Sequence, residues 1–139
     1  MPPAAPDLAG RAARTAGLAT LNLENLSIAN GADRMPAFGR VLTDELGAPA
    51  IVALEEVQDD SGPANDGVVT AERTSRVPVA AIRAAGGPRY EATWIDPENN
   101  RDGGQPSGNI RIALLFDPAR VEPVLGGARR ALISRPRSG

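Results

Sequence analysis

The sequence has 139 residues, enough for one domain with a hydrophobic core, and a formal net charge of −2, so no global field draws in nucleic acid. All 15 basic residues are arginine. Cysteine and histidine are absent, which excludes disulfides, thiolate chemistry and imidazole as an acid, a base or a metal ligand.

Taken in chain order, residues 1–16 read as a disordered Pro/Ala lead-in without the apolar stretch of a secretory signal. An apolar run predicts a strand over 18–22, after which Glu24, Asn25 and Leu26 lead into a loop with Gly31 as its turn residue. Asp33 is the expected N-cap of a first helix, with Pro36 in its first turn. Met35, Phe38, Val41, Leu42 and Leu46 share one helical face, and Gly47 and Pro49 stop the helix. Ile51, Val52, Ala53 and Leu54 form a continuous apolar run, which suits a strand covered on both faces. The β-α-β order makes these two strands neighbours in one sheet.

The polar stretch 58–67 predicts a long loop, and its Asp59, Asp60 and Asp66 read as solvated charge. A second helix is expected over 76–85, with Ser75 near its cap and Pro78 confined to the first turn. Strands follow over 90–95 and 110–116, separated by the polar loop 96–108, and Val121 begins a fifth short strand. Trp94 is expected to pack from its strand onto a helix, and residues 126–139 show no clear element. No run is long enough to cross a membrane.

The chemistry-bearing positions sit at strand ends. Glu55 and Glu56 follow the second strand directly, and neighbouring strand residues point to opposite faces, so the two carboxylates cannot share a role. A carboxylate there can hold a hard divalent cation, or it can mark a strand that stops at a charged edge.

"LATLNLENL" followed after one helix-length connection by "PAIVALEEVQD", then "AAIRAAGGPRYEATWIDP" and "DGGQPSGNIRIALLFDPARV", resembles the endonuclease/exonuclease/phosphatase family. The four anchors lie in order over residues 17–125 and are most similar to a secreted bacterial nuclease-like branch. The resemblance implies an α/β chain forming the N-terminal half of a four-layer α/β sandwich, a sheet flanked by helices. It implies that Glu56 binds the metal, Mg²⁺ or else Mn²⁺ or Ca²⁺, with Glu55 where relatives often carry Gln. Asn22 orients the scissile phosphate and its metal. Asn109 and Arg111 become candidates for contact with substrate phosphate, although Arg111 serves equally as a structural ion-pair partner and Asn109 as a turn residue.

The same resemblance implies a divalent-metal-dependent phosphodiesterase, an endonuclease or exonuclease acting on nucleic acid, with phospholipid and inositol phosphate as the other substrates of the family. The family also uses a His, its partner Asp, and an Asp-x-Asn motif. This sequence has no His and no Asp-x-Asn after Val121, so the catalytic set is incomplete and the expected chain is a first half, inactive alone. Its expected partners are the missing half, or a second copy meeting an uncovered sheet face. The alternative is a non-catalytic α/β module that binds a partner through that face. Relatives of the branch are secreted.

Overall fold

The computed structural model describes residues 16–123 and the pair 131–132. The expected lead-in (1–15) and most of the Arg-rich tail lie outside the described residues. The chain is α/β, with a mixed sheet and two helices on one face among the described residues.

β1 (Leu18–Leu26) and β2 (Ile51–Val57) run parallel in adjacent positions, as the β-α-β spacing predicts. β4 (Arg111–Phe116) lies antiparallel to β2, and β3 (Glu91–Trp94) antiparallel to β4. β5 (Ala131–Leu132) pairs with β3, so the tail carries a short element where none was expected. Val121, in contrast, lies outside any strand.

The first helix begins earlier than Asp33 suggests. α1 spans Ile28–Arg40, and Ser27 caps it in a reciprocal box with Asn30. The Ser27 Oγ accepts from the Asn30 amide at 3.3 Å, and the Asn30 Oδ1 accepts from the Ser27 amide at 2.9 Å. That box satisfies two of the orphan donors of the first turn, which is why the helix starts there. Gly31 is therefore a buried helical residue and not a turn. Its early start leaves Pro36 inside α1, where the proline removes only one backbone bond, to the carbonyl of the exposed Ala32. A π-helical turn, Val41–Glu45, continues the axis, and Gly47 and Ala48, both at positive φ, end it.

α2 spans Glu72–Ala84 and likewise begins before its expected start. Ser75 lies buried within it, and the cap comes from the distant Asp60. Its Oδ1 accepts from the amides of Arg73 and Thr74 at 2.9 and 2.8 Å. Pro78 is also interior to the helix and buried. Packing of the apolar face outweighs the one lost hydrogen bond in each helix.

The core lies between this helical layer and one face of the sheet. Met35, Phe38, Leu42 and Ile82 from the helices meet Val52, Leu54, Ala92, Trp94, Ala113 and Leu115 from the strands. Trp94 packs there as expected. The opposite face is bare among the described residues, with Ile112 58% and Leu114 42% exposed.

Candidate functional site

The C-terminal ends of β1 and β2 break their own alternation. β1 fits Leu23, Glu24 and Asn25 where β2 fits Glu56 alone, and β2 fits Glu55 and Glu56 where β4 fits only Ile112. Such bulges re-aim side chains at sheet rims. Glu24, Asn25 and Glu56 reach this geometry at φ of 49°, 57° and 58°, in the left-handed region that side chains other than glycine seldom enter. Further along the same rim, Asn100, Ser107 and Asn109 also have positive φ.

The bulge brings the sequence candidates Asn22 and Glu56 together. The Asn22 Nδ2 donates to the Glu56 Oε1 at 2.8 Å, and the Asn25 amide donates to the Glu56 Oε2 at 3.1 Å. The Asn22 Oδ1 accepts from the Glu24 amide at 2.7 Å, which fixes the side-chain amide with its nitrogen toward the carboxylate. Asn22 is thus placed to orient Glu56, as partners behind a ligand do in metal sites. Each Glu56 oxygen accepts one N–H and keeps lone-pair capacity.

Glu55 bonds to the same face of β1 as Glu56 does, so the bulge overrides the expected alternation of the two carboxylates. Its Oε1 accepts from the Thr20 hydroxyl at 2.8 Å on the helix-free side. Thr20 was not among the sequence candidates, although its spacing of two from Asn22 puts both on one strand face.

Arg111 and Asn109 lie at the same end of the sheet, because Arg111 stands opposite Val57 in the β2–β4 register. The Arg111 side chain is buried. It bonds to Asp96 through Nη1 and to the Asn109 carbonyl through Nη2 at 2.8 Å, while its Nε has no partner among the described residues. Burial pulls the guanidinium below its ordinary value, and Asp96, Asp59 and Asp60 oppose that shift. Of the two roles open to Arg111, the ion-pair role is visible in the Asp96 contact.

Asn109 is turned inward. Its Nδ2 lies 2.9 Å from the Asp59 Oδ2, 2.9 Å from the Val68 carbonyl and 3.1 Å from the Asn99 Oδ1, while its Oδ1 accepts from the Asn100 amide at 2.8 Å. An amide has two N–H donors, so three surrounding acceptors leave none for a ligand. In this arrangement Asn109 clamps two loops together.

The acidic loop also departs from the solvated reading. Asp59 is fully buried and accepts from the Ser61 amide and hydroxyl, both at 2.9 Å, as well as from Asn109. Asp60 caps α2, whereas Asp66 is exposed, as expected, and accepts from the Val68 amide at 3.0 Å. Sequence composition could not reveal these roles, because each partner lies across a turn or further along the chain.

Comparison with protein-family models, with curated proteins and with solved structures gives no match. Among the described residues, no group of three or more His, Cys, Asp and Glu is placed to hold a metal ion. The donor set at the rim is one oriented carboxylate. This fits Mg²⁺, which keeps several waters and often uses one or two protein carboxylates, and it does not fit a closed all-protein cage.

Proposed function

We propose that this chain carries the metal-binding rim of a divalent-metal-dependent phosphodiesterase acting on nucleic acid. The observation that carries the reading is the bond from the Asn22 amide to Glu56 at 2.8 Å, made across two bulged strand ends. In this reading Glu56 would hold Mg²⁺, and Asn22 and the Asn25 amide fix that carboxylate's direction. Concentrated left-handed backbone at the rim supports it, because such strain persists where the surroundings impose a special geometry. The bound cation supplies polarisation of a phosphoryl oxygen.

The chain's own residues go no further than binding and orientation. The histidine that the resembled family uses for proton transfer is absent from this sequence, and in this reading a second polypeptide segment would supply it. The chain by itself is accordingly expected to bind Mg²⁺ and leave supercoiled plasmid DNA uncut. Isothermal titration with Mg²⁺ tests the rim directly. Weak binding that is lost in Glu56→Gln, and weakened about tenfold in Asn22→Ala, is the expected result. Equal binding by wild type and Glu56→Gln would remove the assignment.

A further inference from the structure

The helix-free face of the sheet forms an open trough of about 720 Å³. Its floor is apolar, with Ile51, Ile112 and Leu114 along the middle strands. Its charged walls are unlike the floor and unlike the chain as a whole. Asp96, Asp102 and Glu122 line it, and the basic residue among its lining positions, Arg111, has a side chain only 2% exposed and bonded to Asp96. Asp102 and Glu122 are exposed and have no ion-pair partner among the described residues.

The acids are also distributed along the trough's length. Asp102 belongs to the loop that leads into β4, and Glu122 follows the turn that leaves it. β4 has six residues, and a strand of that length spans roughly 20 Å. A second copy of this face would bring like charges together at both ends, which opposes self-association. The complementary occupant has apolar side chains in the middle and a cation at each end.

We infer that the open sheet face is a docking trough for an extended partner segment with a short apolar core between two basic residues. The apolar core covers Ile112 and Leu114, whose exposure otherwise leaves hydrophobic surface in water. The flanking cations meet Asp102 at one end and Glu122 at the other. This inference stands apart from the metal reading, because neither Glu56 nor Asn22 lines the trough.

Trp94, the only tryptophan in the sequence, packs in the core on the helix side of the sheet, so occupancy is read by isothermal titration. The probes are the capped peptide Arg-Leu-Ile-Val-Leu-Arg and its twin with both arginines replaced by glutamate. The full chain is expected to bind the first about tenfold more tightly than the second, since each exposed charge pair contributes only a fraction of a decade to a decade. Added salt should narrow the difference, and so should the double variant Asp102→Asn, Glu122→Gln, whose fold is checked by circular dichroism. Equal affinity for the twins would overturn the inference. So would failure of both to bind, including failure because gel filtration shows the face occupied by a second copy.

Discussion

Asn22 stands opposite Glu55 in the β1–β2 register, yet its amide donates to the next residue, Glu56. The exchange of partner depends on Glu56 adopting φ of 58°. Register alone would have left the amide facing a carboxylate already held by Thr20.

That backbone conformation gives an ordering of two variants. Glu56→Ala and Glu56→Gly lose the same side-chain bonds, but only alanine retains the left-handed penalty of about 1–2 kcal/mol per residue. Glycine costs about 0.5–1 kcal/mol in chain entropy, so the glycine variant should be the more stable by up to about 1.5 kcal/mol. Urea denaturation of the two proteins measures it. Ala48, at φ of 49° beyond the first helix, should show the same gain on replacement by glycine, far from the rim.

The crossing of α1 and α2 supplies a second prediction. A Cβ on Gly39 would lie 2.3 Å from the Ala81 carbonyl oxygen, which is helix backbone and has no rotamer to yield. Gly39→Ala should therefore destabilise by about 2–3 kcal/mol as the helices separate. At Gly17 the same added carbon meets the nearest Pro49 atoms at 3.4 Å, an ordinary contact. Thermal unfolding of Gly17→Ala should stay close to wild type, and a similar loss in both variants would show that helix crossing is not the cause.

A third prediction concerns acid stability. The Val68 amide, and after it the Ser61 hydroxyl, hold the Asp66 carboxyl below its ordinary value of 3.8. A carboxyl with a depressed folded value stabilises above its unfolded value, and loses that contribution as pH falls through the lower folded one. Asp66→Asn should lower stability slightly at neutral pH, where the contribution is fully present, and flatten the acid limb below about pH 4, where the wild type loses it. Chemical-shift titration of the carboxyl carbon, together with melting at several pH values, checks both halves of the claim.

Much of the layout is legible in the residues. Alternation at Ala19, Leu21 and Leu23 marks the inner face of β1, and the spacing of Met35, Phe38 and Leu42 marks the inner face of the first helix. The helix starts are not so readable. Asp33 has the chemistry of a cap, but Ser27 has a reciprocal partner three residues on and wins. For α2 the cap is Asp60, whose carboxylate is far from the helix in sequence. Local preference could not find it.

The candidate site divides in the same way. Asn22, Glu56 and Arg111 could be singled out as polar groups at strand ends, and the sheet does bring those ends to one rim. Asn109 looked similar in sequence, but the fold commits its amide to Asp59, Val68 and Asn99.

The sequence by itself determined an alternation of strands and helices and the set of polar residues available at strand ends, because side-chain periodicity and turn chemistry act over a few neighbours. Only the tertiary structure decided which of those residues meet. A one-residue bulge turns Glu56 to Asn22, a buried loop claims Asn109 and Asp59, and helices gathered on one face leave Ile112 and Leu114 uncovered. These outcomes depend on strand register and on contacts between segments far apart in the chain, and no local pattern encodes them.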